Sequence, residues 1–333
     1  TTVAVQAMCD SAKAAKAATL ERTDGKIEKV VLASYEMPLA ELQERCLAYL
    51  AQIPRYRLAE MSDLSKQLRK GGDLLKYEEH LFAEQIKEGG YILSESQRVD
   101  VAEDLLNEYA VFLDMTNTDP DNPQGTGGPL ELQGILKSEQ RRAKDQVVYH
   151  SVIVDHAAAM VCNMMGVEEY SITDDSTRKL LKYIPKQLGD WIGKQFNVPV
   201  MLLHQLSGEA NSRNPTATFH HTDSDECKSI GMFADFCVVT GPPTKDERQL
   251  CVFDCTKHRR QPPKARSIVQ VEGQYNKVSD VSSKYSIDQG ARVIVLSSEA
   301  DTFVETGEAP KISKKGGKKS AAAKAGLATS FTS

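Results

Sequence analysis

Short apolar runs alternate with longer amphipathic segments along the first two thirds of the chain. Runs rich in β-branched and aliphatic residues predict four buried strands, at residues 27–34, 110–114, 147–154 and 198–204. The intervening segments predict helices at residues 2–19, 38–51, 97–109, 130–145 and 176–195, with two more in 56–88 separated at Gly71-Gly72. Strands that alternate with helices are typical of an α/β protein with a mostly parallel sheet flanked by helices.

The last third of the chain has a different pattern, in which strands follow one another without helices between them. Residues 233–239 and 248–256 predict two strands, and 267–272 with 275–278 predict a hairpin. We expect them to form an antiparallel extension at one edge of the sheet. From residue 305 the chain is rich in Lys, Gly, Ala and Ser, which predicts a disordered basic tail at 305–333 after a domain at 1–304.

Composition narrows the class of protein only slightly. With 333 residues, 41% of them hydrophobic, the chain can bury one large core. The net charge of −5 does not exclude nucleic-acid binding, because only the contact surface must be basic. No apolar run is long enough to predict a membrane span. The seven scattered cysteines favour reduced thiols in a cytoplasmic protein.

Polar residues whose side chains could take part in catalysis or binding follow four of the predicted strands. Glu36 comes after the first strand, Asp155 ends a strand in the pattern of a Walker B element, and Gln205 follows the next strand. Lys257 follows a later predicted strand, and Arg259 and Arg260 come shortly after it in the sequence. Each feature alone has a plain explanation, since many α/β strands end in a surface charge or an acid.

Taken in order, these segments resemble the motifs of the DnaB-type replicative helicases. Ser34-Tyr35-Glu36-Met37 is similar to the family's S-L-E-M segment, Val154-Asp155-His156 to its I-D-Y segment, and His204-Gln205-Leu206-Ser207 to its S-Q-L-N-R segment. Ala234-Asp235 is similar to the D-A-D-L segment, and Lys257-His258-Arg259-Arg260-Gln261-Pro262 to the K-Q-R-N-G-P segment. The resemblance covers about residues 1–280 and is weakest across 52–128. His156 replaces the family's tyrosine, and three alanines replace the bulkier residues behind it.

The resemblance implies a RecA-like P-loop NTPase core that uses ATP and Mg²⁺. Thr1 and Thr2 would bind the nucleotide, and Thr1 with Asp155 would hold Mg²⁺. Glu36 would be the general base, and Gln205 would sense the γ-phosphate. Lys257 with Arg259, or alternatively Arg260, would reach a neighbouring subunit's site as an arginine finger.

A finger that acts between subunits requires an oligomer, and the family forms a ring of six around single-stranded DNA. The candidate DNA contacts are the loop after Asp155 and the loop after Gln205, with Asn211, Arg213 and Asn214. A primase and a helicase loader are further partners that the resemblance implies, in a bacterial or phage-infected cytoplasm.

The phosphate-binding loop of this family is not found within the chain. No G-x-x-x-x-G-K-[ST] segment occurs, and Thr1 aligns just after the family's P-loop lysine. We therefore expect a fragment, produced by truncation, a split gene or a protein-splicing junction, that binds ATP poorly by itself.

Two other functions fit the same pattern. A RecA- or RadA-like recombinase ATPase shares the core fold and a glutamate after the second strand. It would form filaments rather than rings. A catalytically inactive structural or loader-like subunit would keep the fold without turnover.

Overall fold

The computed structural model describes most of the predicted core. The described residues are 2–61, 86–88, 91–93, 95–116, 127–165, 175–220, 222–223, 230–259, 266–288 and 293–297. Several sequence predictions lie outside them, namely Thr1, Arg260, the helix break at Gly71-Gly72 and the tail at 305–333.

The first half of the chain follows the predicted alternation of strands and helices. Its elements are α1 (Thr2–Glu21), β1 (Ile27–Ser34), α2 (Leu39–Ala51), β2 (Ile86–Glu88), β3 (Tyr91–Leu93), α3 (Glu95–Tyr109), β4 (Ala110–Asp114), α4 (Pro129–Arg142) and β5 (Val147–Asp155). Pro38 stands before α2, where a residue with a fixed φ and no N–H is well tolerated. Strands β2 and β3 form a small antiparallel hairpin.

Four parallel strands form the centre of the fold, in the order β4-β1-β5-β6, where β6 is Val200–Leu202. Ser34 at the end of β1 lies in register with Asp114 on one side and with Asp155 on the other. The apolar residues 30–33 of β1 are fully buried, since helices cover both faces of the sheet.

The two faces of the sheet are packed by different sets of helices. On one face, α1 buries a stripe at helical spacing that includes Ala4, Met8 and Ala12 against Leu32 and Ile153, with α2 and α3 beside it. On the other face lie α4, α5 (Ala157–Met165) and α6 (Asp175–Leu188). The turn from α1 to β1 spans only residues 22–26, so α1 runs back along β1 and begins near the carboxyl ends of the strands.

Two elements of this region differ from the sequence predictions. The helix predicted at 176–195 is α6 followed by a π-helical turn (Gly189–Gly193) and α7 (Lys194–Phe196). The segment after Asp155 is helix α5 and not a loop, because Met160 and Val161 pack into the core. The prediction of a loop directly after Asp155 is therefore wrong, and contact of this region with DNA stays a prediction.

The last part of the chain forms antiparallel sheets of its own. A short helix, α8 (Gly208–Asn211), follows β6, and four strands then pair in the order β10-β9-β8-β7. They are β7 (Phe236–Thr240), β8 (Leu250–His258), β9 (Arg266–Glu272) and β10 (Lys277–Asp280). A second hairpin, β11 (Tyr285–Asp288) with β12 (Val293–Leu296), was not predicted.

Side-chain hydrogen bonds hold the antiparallel sheet against the core. The Gln6 amide donates to the Val278 carbonyl at 3.1 Å and accepts from the Val278 N–H at 2.6 Å, so it pairs with β10 as another backbone would. Arg45 on α2 donates to the Asn276 side chain at 3.2 Å. None of the helices in the described part of the chain combines the length and hydropathy needed to span a bilayer.

Gly241, at the turn after β7, is expected to tolerate no side chain. A Cβ there would lie 2.5 Å from Cε2 of Phe219, whose ring is fully enclosed and cannot turn away. We expect Gly241→Ala to lower the free energy of unfolding by about 1–3 kcal/mol, measured by urea denaturation. Gly208→Ala is the matched control, because nothing lies within 4 Å of its added Cβ. Equal stabilities for the two variants would contradict the close contact at Gly241.

Candidate functional site at the carboxyl edge of the parallel sheet

Glu36 is presented by a tight turn at the end of β1. The buried Ser34 hydroxyl donates to the Met37 carbonyl at 2.7 Å and accepts from the Met37 N–H at 3.0 Å, which closes the turn. Tyr35 is buried beneath it and donates its N–H to the Asp155 carbonyl at 2.8 Å. The Glu36 side chain is 53% exposed and extends outward from this rigid base.

Asp155 ends the neighbouring strand, β5, directly beside that turn. It is only 3% exposed, and burial raises the pKa of its carboxyl above the usual range. The negative charge of Glu36 raises this pKa further, and His156 opposes the shift. Among the described residues, no cation lies within ion-pair distance of the Asp155 carboxylate.

Gln205 reaches the same edge from the segment after β6. Leu203 donates its N–H to the Val154 carbonyl at 3.0 Å and accepts from the Ala157 N–H at 3.0 Å, so this segment is held against the end of β5. Gln205 is exposed, and its amide nitrogen lies 3.4 Å from Nε2 of His156. The same Nε2 lies 3.2 Å from a carboxylate oxygen of Glu36.

The structure thus brings together three of the predicted site residues, Glu36, Asp155 and Gln205, at the carboxyl ends of three adjacent parallel strands. Thr2 begins α1, which starts at this edge, and Thr1 lies outside the described residues. In the sequence His156 is only a departure from the family pattern, but in the structure it contacts both Glu36 and Gln205. Its position directly after the Walker B acid was the available signal.

Lys257 and Arg259 lie elsewhere, at the end of β8. The Lys257 ammonium donates to the carbonyls of Gly231 and Met232, both at 2.8 Å. Arg259 pairs with Asp235 at 2.8 Å, and both side chains are largely exposed. The sequence predicted Asp235 inside a strand, but in the structure it precedes β7. Within the described part of the chain, no hydrogen bond or ion pair joins Lys257 or Arg259 to the three-strand site.

The predicted DNA-contacting residues lie in and after α8, where they make contacts within the chain. Arg213 pairs with Asp223 at 2.9 Å and with Glu209 at 3.7 Å. The Asn214 side chain accepts from the Thr216 N–H at 2.9 Å, and Asn211 donates to the Leu206 carbonyl at 3.2 Å. These contacts shape the loop.

A partly buried ion pair that no sequence pattern indicated secures the far end of this loop. Asp254 on β8 pairs with Arg266 on β9 at 3.0 Å, and it accepts from the Phe219 N–H at 3.1 Å. Arg266 also donates to the carbonyls of Thr216 and Ala217 at 2.9 and 2.6 Å. The segment that begins at Gln205 is therefore fixed to the parallel sheet at one end and to the antiparallel sheet at the other.

The donor set at the strand ends fits a magnesium ion carried with a nucleotide. Mg²⁺ prefers oxygen ligands and is usually held by one or two carboxylates together with phosphate oxygens and water. Asp155 supplies a buried carboxylate whose pKa is raised by its burial.

Asp155→Asn is expected to raise thermal stability in the absence of nucleotide and Mg²⁺. A raised folded-state pKa means that the ionised carboxyl destabilises the fold. This penalty is absent below the unfolded-state pKa of about 3.9 and grows as the pH rises through the folded-state pKa. The variant should therefore have the higher Tm at pH 7, with a smaller difference at pH 4, in scanning calorimetry. A lower Tm for the variant at pH 7 would contradict this account of the carboxyl.

Comparison with known proteins gives matches at the level of structure only. No model of a known protein family matches the chain, and neither does any curated protein sequence. A solved structure described as an ATPase domain superposes with a TM-score of 0.50 and 16% identity, over 82% of this chain and 81% of that one. A second, "The Structure Of A DnaB-Like Replicative Helicase And Its Interactions With Primase", has a TM-score of 0.48 and 16% identity, over 75% of this chain and 51% of that one. The chain therefore shares the α/β fold of the first of these structures, which confirms the predicted fold class.

Proposed function

We propose that this chain is the ATP-hydrolysing motor of a DnaB-type replicative helicase, which couples hydrolysis at subunit interfaces to movement along single-stranded DNA. The observation that carries the proposal is the convergence of Glu36, Asp155 and Gln205 at one edge of the parallel sheet. In open α/β sheets, ligands bind outside the carboxyl ends of the strands.

Each residue at this edge has a role that its surroundings support. Glu36 acts as the general base toward the attacking water, since its exposed carboxylate stands on a rigid turn. Asp155 holds Mg²⁺, which when bound neutralises charge on the phosphates. Gln205 contacts the γ-phosphate. Thr1 and Thr2 meet the phosphates at the start of α1, because the N-terminus of a helix favours anions.

Lys257 and Arg259 supply positive charge to the nucleotide of a neighbouring subunit in this proposal, with Arg260 as the alternative finger. Lys257 lies near the end of β8, and Arg259 directly follows the final residue of that strand. Their present partners are backbone carbonyls and an exposed aspartate, and an exposed ion pair contributes only about 0–1 kcal/mol. A neighbouring phosphate can therefore compete for Arg259.

Single-stranded DNA passes through the ring along the segment that follows Gln205, with Asn211, Arg213 and Asn214 as the contacts. Both ends of this segment are held by hydrogen bonds, which keeps these three side chains in a defined position relative to the site. Arg213 must exchange at least one carboxylate partner for a DNA phosphate. The family resemblance extends the proposal to a primase and a loader as partners.

The test is DNA-stimulated ATP hydrolysis by the chain with a G-x-x-x-x-G-K segment joined directly before Thr1. We expect this protein to hydrolyse ATP, faster with single-stranded DNA, and to form six-membered rings in electron micrographs. The chain without the added segment is the control, and it should bind ATP poorly. Filaments in place of rings would indicate a recombinase. The extended chain would be an inactive structural subunit if it folded and bound DNA but left ATP intact.

A further inference from the structure

His156 lies where three elements of the candidate site meet. It follows β5, precedes the first residue of α5, and its side chain is 11% exposed. Its Nε2 atom lies 3.2 Å from Glu36 Oε2 and 3.4 Å from the amide nitrogen of Gln205. Its Nδ1 atom lies 3.4 Å from the backbone nitrogen of Ala159, in the first turn of α5.

The contact with Ala159 determines which ring nitrogen carries the proton. The backbone N–H of Ala159 can only donate, and it is one of the N–H groups at a helix start that lack a partner within the helix. Nδ1 must accept this bond and is therefore unprotonated in the neutral ring. The proton then lies on Nε2, which donates it to the Glu36 carboxylate.

The contact with Gln205 makes the ring a shared donor. Two nitrogens that both carry protons cannot form a hydrogen bond with each other. With the Gln205 amide oriented as it is in the structure, Gln205 therefore does not hold the ring. If the amide turns by half a rotation, its oxygen faces Nε2 and becomes a second acceptor for the same proton. Glu36 and Gln205 therefore compete for a single N–H group.

We propose that His156 is a positioning residue that holds the Glu36 carboxylate through Nε2–H and links its position to the orientation of Gln205. The carboxylate is half exposed and on a long side chain, and it would sample many rotamers without this bond. The ring itself cannot move freely, because it is buried and bonded at the start of α5. The catalytic consequence rests on the proposed function, whereas the hydrogen bond does not.

Three variants separate the two contacts of the ring. His156→Asn keeps an acceptor for the Ala159 N–H but is too short to reach Glu36. His156→Gln places an amide N–H near the position of Nε2 and can replace the bond to Glu36. Glu36→Gln leaves the ring intact and removes the charge that accepts from it. Glu44→Gln is the control, since Glu44 pairs with Arg55 at 3.1 Å on the outer side of α2.

The experiment is nitrogen NMR of the histidine side chains in the full chain, at a pH where the rings are neutral. The His156 signals are identified by their loss in His156→Asn. We expect an Nε2–H tautomer whose Nε2 signal shifts in Glu36→Gln and stays in place in Glu44→Gln. An Nδ1–H tautomer, or an Nε2 signal that ignores Glu36→Gln, would overturn the proposal.

ATP hydrolysis by the extended chain gives the second readout. We expect His156→Asn to lower kcat by about 10–100-fold with little change in KM, as loss of an outer hydrogen-bond partner does, and His156→Gln to recover part of it. An unchanged kcat in His156→Asn would also overturn the proposal. Absence of hydrolysis in every protein, including the unsubstituted one, would count against the motor function, and the NMR result would still decide the bond.

Discussion

Glu36→Gln is expected to reduce kcat for ATP hydrolysis by about 10²–10⁴-fold, the range over which a general base contributes. Glutamine keeps the size of the side chain but cannot take a proton from the attacking water. The turn that carries it should remain, because Ser34 and Met37 form that turn without the carboxylate. The rate should be measured on the chain with the added phosphate-binding segment and with single-stranded DNA.

Nucleotide affinity distinguishes loss of the base from loss of the site. A fluorescent ATP analogue should bind Glu36→Gln about as tightly as the unsubstituted protein, since the base acts on water. Glu44→Gln should retain full activity, because it removes only the partly exposed ion pair between Glu44 and Arg55. A Glu36→Gln protein that hydrolyses ATP at the normal rate would exclude Glu36 as the base.

Ile153→Ala is expected to lower the free energy of unfolding by about 2–5 kcal/mol, a large share of the total stability of a domain. Ile153 is 1% exposed in β5, lies between Leu32 and Met201 of the two neighbouring strands, and packs against α1. Removal of its buried carbons leaves a cavity that a rigid sheet cannot close. The measurement is urea denaturation of the whole chain, followed by circular dichroism.

Ile153→Val provides a graded control for this substitution. It removes one buried methylene group and should cost about 0.5–1.5 kcal/mol. The two variants should lower the denaturation midpoint in that order without a change in slope. Equal losses in both, or no loss in either, would mean that Ile153 does not anchor the packing of α1 on the sheet.

The site could be predicted in part from the sequence, because the ends of strands can be recognised from the pattern of apolar residues. Apolar runs that stop at Glu36 and Asp155 identify acids at the carboxyl ends of strands, and parallel strands bring such ends to one edge. Lys257 and Arg259 also follow a strand, but that strand belongs to the antiparallel sheet. The sequence predicted antiparallel strands there as an extension at one edge of the parallel sheet, but no local pattern shows that they form a sheet of their own.

The role of His156 could not be predicted because it depends on register. Ser34 of β1 lies opposite Asp155 of β5, which places His156, the residue after β5, beside the turn that follows β1. A shift of one position would turn the ring toward the opposite face. Hydrophobic periodicity identifies strands but does not give their alignment.

The amino-acid sequence by itself determined the alternation of strands and helices, the order of the motifs and the resemblance to a RecA-like ATPase core. These properties are local, since they depend on spacing along the chain and on side-chain chemistry. Only the tertiary structure decided the strand order, the helix after Asp155 and the meeting of His156 with Glu36 and Gln205. Those depend on which faces are buried together, and burial is settled by contacts between residues far apart in the chain.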